Sequence, residues 1–181
     1  MSKLTKKQVN SIKRKLGILL CRQGEDFLKS AFHIKPVIFD SREVMNFLRD
    51  ITGLPAGTIS LSDRKYYLTD WETFKQIIEV DWTESYKYYS DFFDCDNSSF
   101  LFASRMGMMF KLNSASVCYG MLNYSDKSFG HAFNLIITHN NIGGLEARIF
   151  EPMTDEWCLI EKEKPSMIGY KEYKILWIIM F

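Results

Sequence analysis

Apolar residues recur at helical spacing through the first half of this chain and at strand spacing through the second. From Ser2 to about Gln23, the residues Leu4, Val9, Ile12, Leu16, Leu19 and Leu20 form one stripe, and Gly24 offers a stop. A second helix is predicted from Ser41 to about Ile51, with Ser41 as cap, Glu43 in the first turn, and Val44, Phe47 and Leu48 on one face. GLPAG, residues 53–57, then breaks the chain. It marks the expected boundary between a helical N-terminal extension, 1–57, and a main domain, 58–181, the two packing as one compact unit.

Beyond the break, TISLSD (58–63) and KYYL (65–68) read as short strands. Thr69 or Asp70 would cap the helix WETFKQIIEVDW, whose apolar face is Trp71, Phe74, Ile77 and Ile78. The next helix, SSFLFASRMGMMFKL (98–112), carries Phe100, Ala103, Met106, Gly107 and Phe110 at helical spacing, with Asp96 or Asn97 as cap. After Asn113 the period of two takes over in VCYGML (117–122), HAFNLIIT (131–138) and LEARIFEP (145–152). ILWIIMF, 175–181, is too short to span a bilayer and reads as a buried last strand or a sealed edge. The whole predicts an α+β fold with a mainly antiparallel sheet.

Composition narrows the function classes. The 181 residues are 46% hydrophobic and 25% charged, the balance of a globular protein. Lys+Arg 23 against Asp+Glu 22 leaves +1, so no global field draws the chain to nucleic acid or to a membrane, and neither is expected as a partner. The basic residues of the first helix, Lys3, Lys6, Lys7, Lys13, Arg14 and Lys15, read as a solvated face. Cys21, Cys95, Cys118 and Cys158 are widely spaced, without a CxxC pair or a histidine cluster, which is not a zinc pattern. The N-terminus lacks the continuous apolar run of a secretory signal, so free thiols and a cytoplasmic location are expected.

The candidate chemistry starts at DFFDCDNSSF, 91–100, where Cys95 sits between two aspartates at the mouth of a predicted helix. There, N–H dipoles favour a thiolate. His131 opens a strand directly after Gly130, and HNNIGG turns the chain back into LEARIFEP. A turn centred near 141–142 sets Glu151 opposite position 131 or 133 on the same face. A thiol, an imidazole and a carboxylate in that order are the parts of a nucleophile, a base and an orienting acid. Trp157 is placed to shield the His–acid contact from water, and Tyr86, Tyr88, Tyr89, Phe92 and Phe93 read as core.

DCDN around Cys95, GHAFN around His131 and FEP around Glu151 resemble the papain-like peptidase domain at the C-terminus of the Marasmius oreades agglutinin and of related bacterial and phage proteins. The resemblance covers about residues 66–160, with 36 residues from Cys95 to His131 and 20 from His131 to Glu151. It implies a papain-like core and a thiol-dependent hydrolase that cleaves an amide bond of a peptide or protein substrate through a thioester. Cys95 would be the nucleophile, His131 the base and Glu151 its orienting partner. Calcium is a cofactor by resemblance alone, with Asp91, Asp94 and Asp96 as available oxygen ligands; the residues themselves require none. The interval YKYYSDFFD before Cys95 lacks the oxyanion-hole glutamine usual in such enzymes, and Gln76 lies 19 residues upstream. That gap keeps an alternative open: a non-catalytic binding or structural module on the same fold.

Overall fold

The computed structural model describes residues 34–89, 93–140 and 142–181, with Lys15, Leu16, Leu19, Gln23, Gly24 and Phe32. The chain divides into two compact units, Met1–His33 and Ile34–Phe181. In the first, Lys15, Leu16, Leu19, Gln23 and Gly24 are helical, and the residues that follow Gly24 lie outside the described ones up to Phe32. The remainder of the predicted first helix, with Cys21 and His33, lies outside the described residues.

The second unit begins with strand β1, Val37–Asp40, and helix α1, Ser41–Thr52. Asp40 rather than Ser41 caps α1: its carboxylate accepts from the N–H groups of Arg42 and Glu43 at 2.8 and 3.1 Å, and the Glu43 side chain accepts from the Asp40 N–H at 2.9 Å. This reciprocal box satisfies donors that the first turn leaves unpaired. Gly53 ends the helix at φ 68°, a left-handed conformation that glycine adopts without a Cβ penalty. Val44 and Leu48 of α1 are buried in the same core as Tyr66, Phe133 and Leu135. Residues 37–52, expected within the extension, therefore form part of this unit's core.

Strands β2 (Ile59–Leu61) and β3 (Lys65–Leu68) precede helix α2, Trp71–Ile78, which Asp70 caps by accepting from the Thr73 N–H at 2.8 Å. Helix α3, Cys95–Phe110, is followed by β4 (Ala115–Tyr124), β5 (Lys127–His139), β6 (Leu145–Glu151), β7 (Glu156–Leu159), β8 (Ser166–Ile168) and β9 (Lys171–Met180). The main sheet runs β2-β9-β4-β5-β6-β7, with β8 also paired to β9. Its pairings are antiparallel except β2 with β9. The apolar C-terminal run thus becomes a strand inside the sheet, between β2 and β4.

The sheet's two faces differ. One carries Cys118, Phe133, Leu135, Ile137, Ala147, Ile149 and Ile178 in the core shared with α1. The other receives α3: Phe102 lies against Phe150 with ring centroids 4.5 Å apart, and Asn134 Nδ2 donates to the carbonyls of Ser99 and Ser116 at 2.9 and 2.8 Å. The inward side of α3 is Ser98, Ser99, Phe102, Ala103, Arg105, Met106, Met109 and Phe110, whereas Phe100 and Gly107 are exposed. Spacing of apolar residues misplaced this face because part of it is polar and bonded. Arg105 Nε donates to Asp81 at 2.7 Å, and both side chains are buried.

Candidate functional site around Cys95

Cys95 is the first residue of α3, inside the helix rather than before it as a cap at Asp96 or Asn97 would place it. Asp94 precedes the helix; its N–H donates to Asn97 Oδ1 at 3.3 Å and its carbonyl accepts from the Ser98 N–H at 3.0 Å. The hydroxyls of Ser98 and Ser99 both donate to the Cys95 carbonyl, at 3.0 and 2.7 Å. Because Ser99 is also held by Asn134, the first turn of α3 is fastened to β5.

The β5–β6 ladder runs from His139↔Leu145 to Asn134↔Phe150. Glu151 lies one residue past that end, and its Oε2 is 2.6 Å from His131 Nε2. Glu151 and Tyr173 are buried, and the Tyr173 hydroxyl donates to the same oxygen at 3.4 Å. With Nε2 committed to Glu151, Nδ1 is the nitrogen left for sulfur. Beyond the ladder's end, the Ala132 N–H is not paired to β6 and bonds to the Cys95 thiol.

Across β4, Gly120 pairs with His131. A Cβ there would stand 2.1 Å from the Lys174 carbonyl oxygen and 3.2 Å from Phe133 Cε1, so only glycine fits. The β4–β9 register shifts between Tyr119 and Gly120, a bulge of the kind that re-aims side chains beside sites.

Charge is organised around the sulfur. The hydrogen bond from His131 holds the Cys95 thiol below its ordinary pKa, against burial, with help from the Ala132 N–H and the imidazole's charge; Asp94 works the other way. Burial disfavours a charged His131, but the contacts with Cys95 and Glu151 outweigh it and raise the imidazole to about 9. Both shifts favour the thiolate–imidazolium form of the pair over the neutral one. Burial pushes Cys118 up to about 12 and Cys158 to about 11, so neither is comparably nucleophilic. A thiolate with a proton donor beside it and N–H groups at a helix start can add to an electrophilic carbon.

The structure brings together Cys95, His131 and Glu151, and adds Tyr173, Ala132 and Gly120. Nothing in the sequence singled out these three, since Tyr173 reaches the site from a strand separated from β5 by β4. Trp157 does not shield the His–Glu contact. It pairs with Phe150 on β7, is largely exposed, and packs edge-on against Trp71 at 4.7 Å. Phe133 and Tyr173 line His131 instead, with ring centroids 6.0 and 6.1 Å away. Gln76 is an exposed residue of α2. His139 Nδ1 meets only the Asn140 carbonyl at 3.3 Å among its described hydrogen bonds.

The oxygens considered for calcium do not assemble a site among the described residues. Asp94 and Asp96 hydrogen-bond to each other, which raises Asp96, while Asp91 lies outside the described residues. Among the described residues no group of three or more His, Cys, Asp or Glu is placed to hold a metal ion. Nor is any helix among them long and apolar enough to cross a membrane.

No family model matches the chain, and no curated protein does. Solved structures match at the level of fold. A structure titled "PSL1a-E64 complex" superposes with a TM-score of 0.54 and 20% identity over 78% of this chain and 50% of the other. A Polyporus squamosus lectin bound to the human-type influenza-binding epitope Neu5Aca2-6Galb1-4GlcNAc gives 0.52 and 20% over 78% and 49%. The chain thus spans about half the length of these structures, and at this identity they show the α+β fold alone. They correct the expectation of a papain-like cysteine peptidase, a hydrolase with a catalytic triad: the named neighbour is a lectin, not a peptidase. The expected peptide or protein substrate loses its support with it.

Proposed function

We propose that Ile34–Phe181 is a ligand-binding module centred on a nucleophilic thiolate. The observation that carries the reading is the run of contacts Tyr173–Glu151–His131–Cys95, which keeps a proton on the imidazole and charge on the sulfur. Sulfur adds to an electrophilic acyl carbon of the ligand, the backbone N–H of Cys95 at the start of α3 is the donor for the carbonyl oxygen, and the imidazolium gives its proton to the departing group. The ligand is then held as a thioester. Capture is the function claimed, because the stretch before Cys95 offers no glutamine to complete an oxyanion site and the fold is shared with a lectin. A neighbour of this fold is a complex with E64, which supplies a probe.

Incubation with E64, and separately with a p-nitrophenyl acyl ester, tests the reading by intact mass and peptide mapping. One equivalent on Cys95, absent from Cys95→Ser, is expected. An unmodified Cys95 would sink it, and steady nitrophenol release beyond one equivalent would replace capture by turnover.

A second reading rests on the other neighbour's bound epitope: the unit binds a sialylated glycan. Titration with Neu5Aca2-6Galb1-4GlcNAc, followed by calorimetry, would show saturable heat; a flat titration at millimolar sugar would dismiss it.

A further inference from the structure

We infer that Tyr119 and Trp177 form a subsite beside Cys95 for a cationic group of the ligand, such as a guanidinium or an alkylammonium. The inference rests on the proposed thiolate reading and names what that site selects.

Tyr119 and Trp177 are direct cross-strand partners on β4 and β9, immediately before the bulge at Gly120. Partners in an antiparallel pair share a face, with side chains close enough to make one surface. That face is the one α3 packs on further along the sheet, where Val117 and Asn134 are buried. Past the start of α3 the cover ends, and Tyr119 and Trp177 are 36% and 48% exposed. Tyr119 also pairs with Ala132, the residue whose N–H bonds the Cys95 thiol. Tyr119 therefore lies one strand over from the residue that bonds the sulfur, and Trp177 extends the aromatic surface one strand further.

The charges beside this surface decide its occupant. Burial and then the charges of Asp96, Cys95 and Asp94 raise the Tyr119 phenol, so negative groups at the start of α3 bear directly on that ring. Lys174, paired with Met121 one step along β4, is a cation on the same face. The His131 imidazolium balances the thiolate, which leaves the carboxylates of Asp94 and Asp96 against Lys174. Aromatic faces attract cations through their quadrupole, and neighbouring carboxylates add to that attraction. An anionic ligand group would meet repulsion, and a purely apolar one would leave the carboxylates unused.

Three methanethiosulfonates with one reacting group and different tails test this on the full chain: trimethylammonium-ethyl, methyl and sulfonatoethyl. Each forms a mixed disulfide with Cys95 and releases methanesulfinate, so the rates, divided by those with a free thiol in solution, report the subsite alone. The cationic reagent is expected to react about tenfold faster than the methyl reagent, and the anionic one more slowly. In Trp177→Leu and Tyr119→Leu the cation-to-methyl ratio should fall towards one, with the methyl rate in the same variant normalising for fold and thiolate. Equal ratios for all three tails, or ratios unmoved by both variants, overturn the subsite while leaving the thiolate intact. Failure of the methyl reagent to label Cys95 near neutral pH overturns the thiolate reading and the subsite together.

Discussion

Glu151 Oε2 lies 2.6 Å from His131 Nε2, and this contact settles which imidazole nitrogen is free to meet Cys95. Glu151→Gln keeps the shape but removes the charge that stabilises the imidazolium. The expected result is a drop of about tenfold or more in Cys95 alkylation near pH 6.5, since each pKa unit is worth about 1.4 kcal/mol. A rate within twofold of the parent would mean the carboxylate does not act through His131.

Stability against pH separates the two partners. His131 is raised from 6.5 to about 9, so alone it contributes stability that is full below 6.5 and lost as pH rises through 9. Cys95 is lowered from 9.0, so it contributes above 9 and loses that contribution as pH falls through its folded value. Below 9, and above both 6.5 and the folded Cys95 value, the folded pair and the unfolded pair each hold one proton, and the slopes cancel. Cys95→Ser removes one slope and weakens the other, leaving the part of the His131 shift that Glu151 supplies. Its stability should fall relative to the parent across that window, by no more than about 1.4 kcal/mol per pH unit. Urea unfolding at half-unit intervals measures this, and a constant difference would contradict the pairing.

Gly120→Ala places a Cβ 2.1 Å from the Lys174 carbonyl oxygen, which is backbone and cannot swing aside. The bulge must shift or the strands must part, at a cost of roughly 2 kcal/mol or more. Because Gly120 pairs with His131, Cys95 labelling should slow as well. An unchanged melting temperature would show that the bulge relaxes freely.

Local patterns told much of this story. The short HNNIGG turn and the period of two place His131 and Glu151 on one face, and the run after Cys95 gives its helix. Parity gives faces within a strand, but not which strands become neighbours. The insertion of β9 between β2 and β4 is what brings Tyr173 to Glu151 and Trp177 to Tyr119, and no spacing in the chain encodes it. The α3 face was misread in part for a different reason: Ser98 and Ser99 can be buried because their hydroxyls bond back to the Cys95 carbonyl, and Arg105 because it meets Asp81. The three motifs describe a constellation of groups, whereas the ligand depends on the surface around it, which is why the peptidase name did not carry over.

The most direct measurement is iodoacetamide labelling across pH 5–10, resolved by peptide mapping for Cys95, Cys118 and Cys158, in the parent and in His131→Ala. The account predicts that Cys95 is already reactive near pH 6, while Cys118 and Cys158 wait for much higher pH, and that His131→Ala returns Cys95 to an ordinary thiol profile near 8.5. A Cys95 profile that resembles a free thiol in the parent, or that is indifferent to His131, would contradict it.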